Sequence, residues 1–505
     1  MKAIWAVWLV GIGILQVSAA VPPAFVVTRF SRDILGHAVF QWSAETNSFN
    51  NLYFTVEGAS SLGTAFNAVS GPISESGTLA YTDSVLSANS SGFYRVRVAA
   101  AFTSLSQSGA FTAYAATNVN GLTTVGYAGA VFDGRYVYFV PYQNSVGPHG
   151  RVLRYDSRGD FAAAASWMAY DASSTGAGGA VGYTGGVFDG RFVYFSPTAG
   201  HGRVLRLDTQ GVFTNATSWA LFDAGTTDGF DTTGFQGAAF DGRFVYLVPH
   251  FNKTNWNGIV VRYDTHSAFT NASSWHAWDA GGTSGLATKG YSSGIFDGRY
   301  VYFIPVFSGA PNGCVLRYDP QSPFTNAASW IAYDAGHTGG LPSTNFKGAV
   351  FDGRFIFFAP YVNGGDCVVL RYDAQGAFTN GSSWTAYNAT NTSGLATDGY
   401  DGAVFDGRFV YFTPYANAQT SVFHGRVLSY DTHQEFTNSA GWQAFDAGNT
   451  SGLQSQGYVG AVSDGRYIYF SPYRNIPNNF QGNVLRFDAR LPRLIPSTVT
   501  GGSNL

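Results

Sequence analysis

Three histidines share one tripeptide: His149-Gly150-Arg151, His201-Gly202-Arg203 and His424-Gly425-Arg426. Three imidazoles form a zinc-ligand set, so a zinc site is the first chemistry to weigh. A second candidate is the acid of Asp-Gly-Arg, which occurs at Asp133 and at six further places in the chain. A residue present in every copy of a repeat serves what every copy needs, and Asp-Gly is turn chemistry. Glycoside hydrolysis would need paired carboxylates. The repeat region holds one glutamate, Glu435, and the non-recurrent acids Asp228, Asp231, Asp366, Asp398 and Asp401 read as loop polar groups. No nucleophile elbow, phosphate loop or metal-spaced cluster is present in the sequence. Non-recurrent aromatic and basic residues are a different matter. His250, Phe251, Lys253, Trp256, Phe423 and Arg474 could stack on sugar rings or anchor a protein.

The elements that must carry these residues are read from the repeat. Phe-Asp-Gly-Arg stands at Phe132–Arg135, Phe188–Arg191, Phe240–Arg243, Phe296–Arg299, Phe351–Arg354 and Phe405–Arg408, and Ser463–Arg466 is a seventh, altered copy. The period of 52 to 58 residues is that of propeller blades. Each unit carries four strand signals. They are a small-residue run ending at the Phe, an apolar run such as Tyr136–Val140, a third like Val152–Asp156, and a fourth like Trp167–Asp171. The Asp-Gly pair is expected at the centre of the hairpin turn between the first two. Phe111–Tyr114 reads as a fourth strand that precedes any first strand, and the last unit lacks its fourth. The expected fold is therefore all-β: a seven-bladed β-propeller whose N-terminal strand completes the last blade, one strand plus three, leaving no open edge.

Strands in a blade alternate in direction, so the second-to-third and fourth-to-first loops share one face. Only the interval from the Asp of Asp-Gly-Arg to the third-strand Asp changes, from 19 to 25 residues. Function on repeat scaffolds sits in such variable loops. The predicted ligand-binding residues are Tyr142, His149, His250, Trp256, Tyr415, Phe423, His424, Tyr473 and Arg474. The long loops of blades six, seven and one should raise a wall beside the short loop at residues 198–201, with Phe423, Tyr473 and Arg474 lining the groove. The propeller geometry argues against the metal reading. Third strands of adjacent blades lie roughly 14 Å apart, so the histidines cannot share an ion. The same distance opposes a bridge between Cys314 and Cys367, which are expected to be free thiols. No metal and no cofactor is expected. An Arg–Asp pair is predicted in each blade, exemplified by Arg135–Asp156 and Arg466–Asp488.

The layout of residues 110–490 resembles kelch and similar propellers, with a Gly-rich first strand, an aromatic second and a Trp near the fourth. The Gly-Gly pair of kelch repeats is replaced here by Pro-Tyr, as at Pro141-Tyr142 and Pro472-Tyr473, so no kelch partner is implied. Residues 24–101 resemble a small fibronectin-III-like sandwich of secreted bacterial proteins, ending in Phe93–Arg97. The alternative is an extension packed on the propeller. Residues 102–109 read as a linker and 491–505 as a loose tail.

Residues 1–20 read as a signal peptide: Lys2, an apolar run from Ala3 to Leu15, then small residues at Ser18–Ala20. The run is short for a membrane anchor. The expected address is extracellular or periplasmic. Charged residues are 12% of the chain and the formal net charge is −3, which gives no electrostatic reason for nucleic acid or an anionic membrane. The leading expectation is a secreted, non-catalytic binding or scaffold protein for a glycan or an extracellular protein. The alternative is a propeller-type polysaccharide lyase or glycoside hydrolase.

Overall fold

Short apolar runs bounded by Gly, Asp and Pro can bury both faces only inside stacked sheets. The computed structural model describes residues 103–489 except 108, 199, 362–364, 418 and 477–478. Before residue 103 it describes only the backbone of seven strands between Phe25 and Ala99. The expected signal peptide (1–20) and tail (491–505) lie outside the described residues.

Seven four-stranded antiparallel sheets follow one another along the chain. The first comprises Tyr127–Phe132, Tyr136–Pro141, Arg151–Asp156 and Trp167–Asp171. The seventh comprises Tyr458–Ser463, Tyr467–Pro472, Asn483–Asp488 and, as its fourth strand, Phe111–Ala115. That last pairing runs from Phe487↔Phe111 to Asn483↔Ala115, so the ring closes as the sequence predicts. The first strands touch in a circle, including the first blade against the seventh. Glycine makes that possible: a Cβ on Gly185 would lie 2.9 Å from Cα of Gly237 in the next blade, and one on Gly348 2.9 Å from Cα of Gly402.

Adjacent blades are joined by aromatic stacking. Tyr114 of the closing strand stacks on Trp167 of blade one at 4.9 Å, as Tyr170 does on Trp219 at 5.2 Å and Phe222 on Trp275 at 4.8 Å. Phe111 takes the Trp position in blade seven and receives Phe445 at 5.4 Å. Each of these Trp residues also donates its indole N–H to a backbone carbonyl, as Trp167 does to Phe161 at 2.9 Å. On the rim, a residue in left-handed backbone reaches the next blade. Ser284 (φ 57°) accepts the amide of Ala332, and Ser451 (φ 56°) that of Ala113 in the closing strand.

The turn between first and second strands lies one residue later than an Asp-Gly centre would put it. Phe132 pairs with Val137 and the Asp133 amide donates to the Tyr136 carbonyl, so Gly134 (φ 97°) and Arg135 are the central pair. Asp133 is thereby freed to accept from the amides of Arg135 and Tyr136 and from the Tyr138 hydroxyl, at 2.8, 2.6 and 2.8 Å. The side chain substitutes for the missing backbone partner of the tight turn.

The predicted Arg–Asp pair is present in all seven blades, with Arg135–Asp156 at 2.7 Å and Arg466–Asp488 at 2.8 Å. Cys314 and Cys367 are buried free thiols.

Contacts divide the chain into two units, Phe111–Ser463 with Ile468–Phe487, and Met1–Ala110 with Asp464–Tyr467 and Asp488–Leu505. In the second, Leu105 and Ala110 are buried and the Thr103 amide donates to the Ala489 carbonyl at 3.2 Å. Its N-terminal strands pair as Phe25–Arg32 with Ala38–Ala44 and Leu79–Asp83, and as Tyr53–Ala59 with Asn67–Ala68, Ile73–Ser74 and Phe93–Ala99. Among the described residues, no helix is long and apolar enough to cross a membrane.

Candidate functional site

In every blade the aromatic residue that opens the first strand pairs with the proline that closes the second, as Tyr127↔Pro141 and Phe346↔Pro360 do. The residue after each member of that pair stands at the mouth of the propeller axis, on the face of the second-to-third loops. Two tiers result. The lower, on the first strands, reads Ala128, Thr184, Gln236, Ser292, Lys347, Asp401 and Val459 around the ring. The upper reads Tyr142, Thr198, His250, Val306, Tyr361, Tyr415 and Tyr473. These positions repeat in place but not in chemistry, as a site built on a symmetric scaffold requires.

Four tyrosines of the upper tier fan across blades five, six, seven and one. Tyr361 lies 5.7 Å from Tyr415, Tyr415 6.3 Å from Tyr473, and Tyr473 5.8 Å from Tyr142, with ring planes 24–30° apart. Such near-parallel rings present edges and hydroxyls at the mouth. Tyr473 accepts from the Gln143 amide at 3.0 Å, and burial pushes its phenol up to about 12. The hydroxyls of Tyr142, Tyr361 and Tyr415 bond to no other described residue and are left for a ligand or solvent.

Beneath the fan, Lys347 donates to Asp401 at 3.2 Å and covers the Tyr361 ring at 4.2 Å. Burial opposes the charge on Lys347, but Asp401, Tyr361 and Tyr415 outweigh it and hold the ammonium above its usual range. Burial lifts the Asp401 carboxyl, and Lys347 pulls it back. At 3.2 Å the ionised pair is the form the geometry supports at neutral pH. A protonated Lys347 is no nucleophile, and it already fills the cation position of the tyrosine fan.

On the opposite side, Thr184 and Ser292 donate their hydroxyls to the next blade's first-strand carbonyls, of Phe235 at 3.4 Å and Phe346 at 2.9 Å. In blade three the equivalent carbonyl, of Tyr291, is taken by His250 Nδ1 at 2.9 Å. That bond fixes the tautomer, leaving His250 Nε2 as a lone pair. Burial and the Lys347 charge bring its pKa down to about 4, so it stays an acceptor at neutral pH. Gln236 Oε1 is buried and has no partner. The mouth thus combines an aromatic arc on one side with one open acceptor, His250 Nε2, on the other, and Gln236 Oε1 is buried behind it.

Of the residues singled out in the sequence, Tyr142, His250, Tyr415 and Tyr473 come together at this mouth. His149 and His424 do not. Each donates from Nε2 to a loop carbonyl, of Val125 at 2.9 Å and Asp398 at 2.7 Å, and each accepts at Nδ1 from the amide two residues on. Both ring nitrogens are therefore occupied by backbone. Trp256 packs among His250, Phe251 and Phe307 at 4.9–5.2 Å. Phe423 is buried edge-on against Tyr415 at 5.3 Å, supporting the fan from behind. Arg474 lies beside Tyr473. Lys347, Asp401, Gln236 and Tyr361 were not predicted as site residues, although each departs from the small residue or valine found elsewhere in its column or extends the Pro-Tyr series. Among the described residues, no group of three or more His, Cys, Asp or Glu could hold a metal ion.

No family model and no curated protein matches the chain. Among solved structures it is similar to the α-L-arabinofuranosidase from Lactobacillus brevis, at 12% identity and a TM-score of 0.30, over 50% of this chain and 90% of that one. A likeness of that degree bears on no residue or activity here.

Proposed function

We propose that this is an exported binding protein that holds a glycan in the mouth of its propeller. The observation that carries the reading is the tyrosine fan with three uncommitted hydroxyls, together with the open acceptor His250 Nε2. A sugar presents that complement: hydroxyls that donate and accept, and C–H faces that lie against aromatic rings. Binding without bond cleavage fits the lower tier, whose one carboxylate, Asp401, is tied to Lys347, whereas glycoside hydrolysis employs two. Export is supported by Lys2 and the apolar run that follows it. A fibronectin-III-like module ahead of a kelch-like ring is supported by the two strand groups between Phe25 and Ala99. It would serve as a spacer.

The test is calorimetric titration of the full-length protein with a panel of oligosaccharides. Tyr415→Ala should weaken binding about 30-fold, equivalent to about 2 kcal/mol, as an interface anchor does. Glu435→Ala, on the opposite face, should leave binding unchanged. Equal losses from both variants, or a panel without a single binder, would remove the proposal.

A further inference from the structure

Most arginines of this propeller are held in one of two ways; of those that belong to neither set, Arg151 and Arg426 pair with Asp171 and Asp446, while Arg203 and Arg474 have no carboxylate partner among the described residues. The Asp-Gly-Arg arginines each pair with an aspartate of the same blade. A second set lies between aromatic rings of neighbouring blades, as Arg154 does between Tyr136 at 4.1 Å and Phe213 at 4.3 Å. Arg474 also lies against two rings, but both are of its own blade, Phe480 at 4.3 Å and Tyr473 at 4.9 Å. It differs in standing in a variable loop at the mouth. No carboxylate among the described residues pairs with it, and its Nε is buried without a partner. Asp401, the one carboxylate of the lower tier, is already paired with Lys347.

Stacking fixes the guanidinium plane before any ligand arrives, so little rotamer freedom is left to lose on binding. The terminal N–H groups of Arg474 bond to no described residue, and such a fork matches a carboxylate or a sulfate. Tyr473 lies against Arg474 and also within the electrostatic reach of Lys347. Arg474 is thus a cation at the mouth that no carboxylate of the described residues pairs with, whereas Lys347 is paired with Asp401. Resting on the mouth being the binding site, we propose that the glycan is acidic and that Arg474 receives its anionic group, a uronate carboxylate or a sulfate ester, beside Tyr473.

The experiment titrates the full-length protein with an oligogalacturonate, a sulfated oligosaccharide and a neutral oligosaccharide of the same length. At least one acidic probe should bind about 10-fold or more tighter than the neutral one, and which of the two does so names the anion. Arg474→Gln should weaken the acidic probe by about 10- to 100-fold, the range of a lost charge-assisted pair, and change the neutral probe less than about 2-fold. Arg474→Lys should lose less than Arg474→Gln, and Arg158→Gln on the opposite face should bind the acidic probe as the parent does. Melting temperatures of the variants check that the fold persists. If neutral and acidic probes bind alike and Arg474→Gln is silent while Tyr415→Ala abolishes both, the anion proposal is overturned and the mouth stands. If no probe binds, both fall.

Discussion

Replacing His149, His201 and His424 together by asparagine should remove much of the protein's sensitivity to mild acid while leaving its stability at neutral pH nearly unchanged. In each blade these histidines join the third strand to the preceding loop through two bonds, Nε2 to a carbonyl and Nδ1 from an amide two residues on. The protein already makes the same latch without histidine. Asn257 donates to the Thr233 carbonyl at 3.3 Å and accepts from Ile259 at 3.1 Å; Asn312 and Gln481 do likewise in blades four and seven. A protonated imidazole cannot accept the amide, and burial opposes its charge. The His149 pKa is brought down to about 4, and His201 and His424 are lowered by the same cause. The unfolded chain, with an ordinary histidine near 6.5, binds the proton more readily. Stability is therefore full above about pH 6.5 and falls as pH drops toward the folded value. For His149 the loss between pH 7 and pH 4 is about 3 kcal/mol, from 1.36 kcal/mol per pKa unit. Urea unfolding at pH 7, 5.5 and 4 measures this. The triple variant should lose less than the parent by at least that amount, its remaining dependence including that of His250. A variant whose midpoint falls with pH as steeply as the parent's would refute the account.

Three other outcomes are expected. Phe111→Ala removes the ring that stacks on Phe445 and Phe487 and should cost about 2 kcal/mol, read as a lower thermal midpoint, whereas deletion of residues 108–116 should expose the ring's edge and lower it further. Lys347→Met leaves Asp401 buried without its partner and should cost about 3 kcal/mol in urea unfolding; Lys347→Met with Asp401→Leu should recover most of it, and a double variant no better than the single would contradict a coupled pair. Cys314 and Cys367 should resist iodoacetamide in the native state and both be alkylated in urea without reductant, so mass spectrometry finding a bridge would overturn the blade register.

The ring was legible because its cues repeat. Seven Asp-Gly-Arg copies, the early fourth strand at Phe111 and the paired Arg and Asp positions each reflect a need common to every blade, and the structure uses each accordingly. The turn was misplaced by one residue because the side chain of Asp133, rather than its backbone carbonyl, meets the Tyr136 amide. Dipeptide preference does not encode that exchange. The histidine motif also carries a readable signal: Asn257, Asn312 and Gln481 occupy the same column as the histidines and offer the same donor and acceptor. A column shared by His, Asn and Gln points to a backbone latch rather than to a metal.

The mouth was harder to see for the opposite reason. Its residues are single departures within columns that otherwise serve packing. Lys347 and Asp401 sit in first strands whose other members at that position are Ala, Thr, Gln, Ser and Val, and nothing local distinguishes a lysine that will face the axis from one that will face water. Their pairing spans 54 residues of sequence and one blade boundary. Only the alignment of blade on blade brings Lys347 against Tyr361 and Asp401 together, and it does so through the Phe346↔Pro360 and Tyr400↔Pro414 pairs that fix where each strand ends. A symmetric fold concentrates its information in this way. What recurs builds the ring, and what fails to recur, at positions the ring has already placed around one axis, is where a ligand can be told apart from solvent.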